Sequence, residues 1–266
     1  MANFSLDQAE GLRRMLSEPK PRVVTVLSTQ GAAEKNAMLT NLTATLVQMG
    51  SDTVLVDGRR TNGVGVHLKM QRKQGLLEVA RHQCALNDVV QTLPQGYSVV
   101  AMSGERTASV RDDETENQRL SRVFSVLAQQ YGMMLVDGEL DNEDRLAASA
   151  LDDGAIIIHL TAGAESIKSA YCLIKRLGGV LGRRSFGILV TQCQEAQGRL
   201  VYANLAQTAN RYLAVSLHFM GSIPADDHLS RAARLGRSVI EAFPLALASA
   251  AFRRIAGQLD QGLVNE

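Results

Sequence analysis

The chain has 266 residues, 45% of them hydrophobic, and a formal net charge of +1. That length suits one large α/β domain, and that apolar content fills a sizeable core. Acids and bases are mixed along the chain, which argues against a protein whose main work is coating nucleic acid.

Cys84, Cys172 and Cys193 lie far apart, with no CxxC or Cys/His spacing, so neither a disulfide framework nor a zinc site is expected and a reducing cytoplasm fits. No signal pattern opens the chain, and no apolar run approaches the roughly 18 residues needed to cross a bilayer, so a soluble protein is expected. Trp is absent, which leaves the packing to aliphatic side chains.

Ser5 to Ser17 predicts a short helix. Ser5 and Gln8 have capping-box spacing, and Leu6, Ala9, Leu12 and Leu16 recur at helical intervals. Glu18-Pro19-Lys20-Pro21 ends it, because proline lacks an amide donor and restricts the residue before it. Two readings of this amphipathic segment stand: a helix that covers its own domain, or one that recruits a partner. The stiff tether favours the second.

A βα rhythm follows. Strands are predicted at Arg22–Leu27, Thr53–Asp57, Ser98–Met102, Met133–Asp137, Ala155–Leu160, Phe186–Thr191 and Ser216–Met220. Helices are predicted at Lys35–Met49, Asn117–Gln130, Glu165–Leu181 and Gly198–Leu213. Short apolar strands alternating with helices imply a doubly wound, mostly parallel sheet covered on both faces. The polar stretch 104–116 reads as a mobile surface loop.

In such a sheet, ligands sit at the carboxyl ends of the strands. The first βα loop reads Ser28-Thr29-Gln30-Gly31-Ala32-Ala33-Glu34-Lys35-Asn36. A phosphate-binding loop needs glycines for close backbone approach, a lysine for charge and a Ser/Thr for magnesium. Here Gly31 and Lys35 are in place. Glu34 stands where a glycine is needed and Asn36 where a hydroxyl is needed.

Beyond the loop, the chain resembles the FlhG type of the MinD/ParA-like P-loop family along nearly its whole length. Asp7-Gln8-Ala9-Glu10-Gly11-Leu12-Arg13 is similar to the DQAxxLR motif that opens FlhG proteins. Asn41 to Leu46 is similar to the NLAxxL helix, and Thr53 to Asp57 to the strand carrying the family's second acid cluster. Tyr131 to Asp137 is similar to the Walker B strand, Thr161 to Tyr171 to the TxPExTAxxDAY segment, and Ile223-Pro224-Ala225-Asp226 to the IPxD turn near the adenine. The order and spacing of these matches make the resemblance specific.

It implies a recruitment segment at 1–20 that acts on the GTPase FlhF through Asp7, Gln8, Ala9, Leu12 and Arg13, and a P-loop domain at 21–266. It implies a nucleotide site at Gly31, Ala32, Ala33, Glu34, Lys35, Asn36, Arg59, Gln192 and Pro224, with ATP or ADP and magnesium held through Asp57 and Asp137. It also implies a cytoplasmic regulator of flagellar number or placement, recruited to the cell pole and in contact with flagellar basal-body or regulator proteins.

The sequence departs from that family at the charged positions. Gln30 replaces a lysine that reaches across a nucleotide-sandwich dimer. Arg59 replaces the acid that positions the attacking water, and Gln192 falls where an adenine-recognising Asn is usual. Phosphoryl transfer depends on positioning and electrostatics. A like charge such as Glu34 a few Å from a polyanion opposes its binding by about 1–4 kcal/mol. Weak nucleotide binding and little turnover are therefore expected. The alternatives are a slow MinD/ParA-type ATPase with nucleotide-dependent dimerisation, and a ParA-like DNA partition protein, which the near-neutral charge disfavours.

At the other end, Phe252, Ile255 and Leu259 form one stripe beside Arg253 and Arg254. A membrane-surface helix looks like this. The acids of the tail favour packing onto the domain instead, with weak or no membrane association. His159, in an apolar strand, reads as a satisfied core residue.

Overall fold

The computed structural model describes residues 22–70, 74–103 and 110–262. The expected helix at 5–17, with Asp7, Gln8, Ala9, Leu12 and Arg13, lies outside the described residues, as does the 104–109 part of the expected loop at 104–116.

Eight strands form one sheet in the order β3-β4-β2-β5-β1-β6-β7-β8. They are β1 (Arg22–Ser28), β2 (Thr53–Asp57), β3 (Gln91–Thr92), β4 (Ser98–Ala101), β5 (Met133–Asp137), β6 (Ala155–Thr161), β7 (Ser185–Thr191) and β8 (Ser216–Ile223). Only β3, at one edge, runs antiparallel to its neighbour. All five residues of β2 and all five of β5 are buried. Such continuous apolar strands are stable only where both faces of a parallel sheet are covered.

The cover comes from helices α1 (Ala32–Gln48), α2 (Val64–His67), α3 (Leu76–Ala80), α4 (Leu86–Val89), α5 (Glu114–Gln130), α6 (Ala164–Leu181), α7 (Glu195–Leu213), α8 (Asp227–Arg234), α9 (Val239–Ala242) and α10 (Leu247–Asp260). One core packs Leu120 and Phe124 of α5, Ile174 and Leu177 of α6 and Leu205 of α7 against the sheet. The other packs Leu39 and Leu42 of α1 against Phe252, Ile255 and Leu259 of α10.

That apolar stripe on α10 is therefore buried against the domain. Each of its side chains contributes about 1.5–3 kcal/mol.

Two expected stretches differ in detail. Ser238 to Leu259, which is similar to the terminal helix region of the FlhG-type pattern, breaks into α9 and α10 at Phe243-Pro244. Proline has no amide to continue the helix and pushes Phe243 out of helical geometry, to φ −139°. Residues 110–116, expected in a loop, form a 3-10 turn and the start of α5, where the Asp113 carboxylate accepts from the Glu116 amide at 3.1 Å. That side chain satisfies one of the helix's unpaired N–H groups and brings the helix start forward from Asn117.

β1, β5 and β6 occupy the middle of the sheet, and β1 is paired on both sides. The loop that leaves β1 therefore emerges between the ends of β5 and β6, so whatever those ends carry acts on it.

Candidate functional site

Ser28 to Asn36 turns from β1 directly into α1, with Gly31 as the N-cap in extended geometry. The first N–H groups of a helix have no partner within it and carry part of its positive dipole end. The amides of Ala32, Ala33 and Glu34 thus make a cradle that an anion would fit.

The side chains around that cradle are arranged differently. Lys35 is fully buried, and its Nζ donates to both oxygens of Asp137, at 2.7 and 2.5 Å. Asp137 ends β5, next to β1, so the sheet brings lysine and carboxylate together. The second oxygen of Asp137 also accepts from the Val64 amide at 2.9 Å. Asp57, at the end of β2, accepts from the amides of Gly65 at 2.8 Å and Arg59 at 3.3 Å. Both expected metal carboxylates are thus turned toward an ammonium and peptide N–H groups of the chain itself.

The turn Gly63-Val64-Gly65 makes this possible. A methyl group at either glycine would overlap the Asp57 carboxylate, so only glycine lets the backbone come this close. Sequence reasoning did not single out this turn. Its Gly-x-Gly spacing after an acidic strand end is the signal that could have found it.

Burial pulls the Lys35 ammonium below its ordinary pKa, although Asp137 opposes the shift. Burial likewise pushes the Asp137 carboxyl up, against the pull of Lys35. In both groups desolvation disfavours the charged form and the partner favours it.

On the other side of the loop the groups are uncharged. His159 on β6 is fully buried and bridges neighbouring strands, with Nδ1 at 2.9 Å from Ser28 Oγ and Nε2 at 2.9 Å from Thr191 Oγ1. It is the satisfied core residue its apolar strand implied. Burial, with a smaller push from the Lys35 charge, lowers its pKa to about 4. Ser166 in α6 accepts from the Thr161 amide at 2.9 Å and from Gln30 Nε2 at 2.7 Å, and lies 2.7 Å from Thr29 Oγ1. Gln30 is therefore tied inward to its own domain.

Glu34 is exposed and accepts from Gln192 Nε2 at 3.0 Å. Its charge sits in the first turn of α1, where the helix dipole favours an anion. Asn36 is buried, and its Oδ1 has no hydrogen-bond partner. Arg59 lies 3.5 Å from Glu139, which also accepts from the backbone and side chain of Arg60. Pro224 is buried and, with Gln192 and Glu34, lines one end of a groove of about 1280 Å³. Asp226 of the same turn is structural. Burial alone would raise its carboxyl, but the amides of Ala248 and His228 outweigh that and hold it below the usual range.

The structure therefore brings Gly31, Ala32, Ala33, Glu34, Lys35 and Asn36 to one loop, with Asp57, Arg59 and Asp137 on one side of it and Gln192 and Pro224 on the other. The backbone fits an anion. The carboxylates do not fit magnesium as they stand, because Lys35 Nζ and the Val64 and Gly65 amides take the positions from which they would hold a cation.

A doubly wound sheet whose first loop leads into a helix-start lysine, faced by acids at the ends of the adjacent strands, is the fold of the MinD/ParA P-loop structures. Solved structures agree. The MinC:MinD cell division complex of Aquifex aeolicus superposes with a TM-score of 0.64 at 18% identity, covering 90% of this chain and 96% of that one. The septum site-determining protein MinD of Pyrococcus horikoshii, complexed with Mg-ADP, superposes with a TM-score of 0.63 at 19% identity, covering 92% and 99%.

In sequence, the chain is similar to the antiactivator FleN of Pseudomonas aeruginosa, 28% identical over 251 residues that cover 94% of this chain and 90% of FleN. The FlhG-type resemblance carried by the motifs and this similarity agree. No family model matches the chain. Among the described residues, no helix is long and apolar enough to cross a membrane.

Proposed function

We propose that this chain is an FlhG-like regulator of flagellar number or placement, acting through an FlhF-type GTPase by way of residues 5–17. Its P-loop domain serves as a binding platform that takes up ATP or ADP with magnesium weakly or not at all. Flagellar basal-body or regulator proteins are the further partners, and the cell pole is the site of action.

The observation that carries this reading is the closed arrangement of the charged residues. Lys35 is held by Asp137, Asp57 and Asp137 are capped by the Val64 and Gly65 amides, and Gln30 is tied to Ser166. A ligand phosphate would have to draw Lys35 away from a buried carboxylate. It would also meet Glu34 beside the cradle.

Calorimetry with ATP and magnesium tests the nucleotide side. The expected result is no saturable heat in the micromolar range, and tight magnesium-dependent binding overturns it. Restoring the family residues with Glu34→Gly and Asn36→Thr is expected to raise nucleotide affinity. A pulldown with FlhF, with and without Leu12→Ala and Arg13→Ala, tests the partner side. Undiminished binding by the double variant removes the segment from the mechanism.

One observation favours the slow ATPase. The start of α1 keeps its backbone amides in cradle geometry, with no side-chain cap on them. That reading requires measurable hydrolysis that is lost in Lys35→Ala.

A further inference from the structure

The groove that begins at Gln192 and Pro224 continues over the side of α1, between α2 and the α8–α9 region, as far as Gln95 and Tyr97 at the start of β4. Its wall and rim carry large apolar side chains in water. Leu245 is 97% exposed, Leu247 67% and Leu235 61%. Isolated exposed leucines are ordinary, but these belong to the connected turns around α8, α9 and α10, and Leu245 and Leu247 line one concave surface.

The described chain begins at Arg22, whose guanidinium donates to the Leu259 carbonyl at the end of α10. α10 starts at the groove with Leu247 and ends beside Arg22. β4, which follows Gln95 and Tyr97, is parallel to β1 and three places from it in the sheet. At about 4.8 Å per strand, that is about 14 Å from the start of β1. Residues 18–21 reach about 13 Å when extended. A thirteen-residue helix such as the one the sequence predicts at 5–17 is about 20 Å long, the length of the fourteen-residue α10.

We propose that this groove is the docking site of the chain's own residues 5–17. The stripe Leu6, Ala9, Leu12 and Leu16 covers Leu245 and Leu247. The match is one of length, reach and apolar pattern. The docked state withholds the recruitment segment until a partner competes for it. This inference goes beyond the FlhF reading and does not depend on it, since docking requires only this chain.

The test uses the full chain. In a Cys172→Ser background, Leu12→Cys and Leu245→Cys are oxidised in dilute solution. The expected product is an internal disulfide that shifts the mobility of the monomer. Leu245 is nearly fully exposed, so its replacement leaves the fold intact. In parallel, amide hydrogen exchange over residues 245–252 is compared between the parent chain and Leu6→Asp/Leu12→Asp. Exchange at least tenfold faster in the variant, reversed by an excess of a synthetic 1–20 peptide, supports docking. Unchanged exchange with no internal disulfide overturns it. A disulfide only between chains, rising with concentration, also overturns it and assigns the groove to a second copy. Loss of FlhF binding with docking intact would remove the partner reading alone.

Discussion

The two flanks of the loop between β1 and α1 hold the same backbone by opposite means. Toward β5 and β2 the contacts are charged: Lys35 on Asp137, with Asp57 and Asp137 capped by peptide amides. Toward β6 and β7, apart from Glu34 on Gln192, they are neutral: Ser28 on His159, His159 on Thr191, and Thr29 and Gln30 on Ser166. The charged flank is costly to bury and tolerates no missing partner. The neutral flank is cheaper, and it ties the loop to strands and helix without any ligand. The departures from the family concentrate on charge, at Gln30, Glu34 and Arg59. Loop shape therefore has support that does not depend on phosphate.

The largest expected effect comes from breaking the charged flank. Lys35→Met leaves a carboxylate buried beside Asp57, and a loss of about 3–5 kcal/mol in chemical denaturation is expected. Adding Asp137→Asn to that variant removes the stranded charge and should return part of the loss. A double variant as unstable as the sum of the singles would show that the two residues act independently.

The neutral flank is sharpened by pH. The folded His159 pKa of about 4 lies below the ordinary 6.5, so the unfolded chain binds more protons between these values. The contribution is fully present above pH 6.5 and is lost as pH falls toward 4, by about 3 kcal/mol in all. His159→Gln should flatten the denaturation midpoint between pH 7 and pH 5. An unchanged slope would mean that another group carries the acid sensitivity.

Smaller effects probe the two supports directly. Gly63→Ala forces its new methyl group against Asp57 and should cost about 1–3 kcal/mol, with loss of the amide caps on both carboxylates. Ser166→Ala removes the hub of the hydroxyl network and should cost about 1 kcal/mol. Comparing nucleotide affinity in these two variants asks which flank restrains the site. The charged-flank reading predicts a change only in Gly63→Ala.

Most of the fold was legible along the chain. The strand ends at Asp57 and Asp137, the helix after Lys35, and the α10 stripe all follow from apolar runs and helical periodicity. β3, two residues long, and the short helices α2, α3 and α4 were not legible, because elements of this size have no period to read. The candidate residues were gathered by the family pattern, and the sheet order puts Lys35, Asp57 and Asp137 together at the carboxyl ends of β1, β2 and β5. Their pairings could not be read that way: Lys35 with Asp137 spans 102 positions, and Glu34 with Gln192 spans 158.

By itself, then, the sequence determined the alternation of elements, the apolar faces and the inventory of charges around one loop, since each depends on neighbours within a few residues. Only the tertiary structure decided what those charges do. A buried ammonium takes the partner that the sheet brings within about 3 Å. Here the partner is the chain's own carboxylate, under a Gly-Val-Gly turn that only glycine could bring so near.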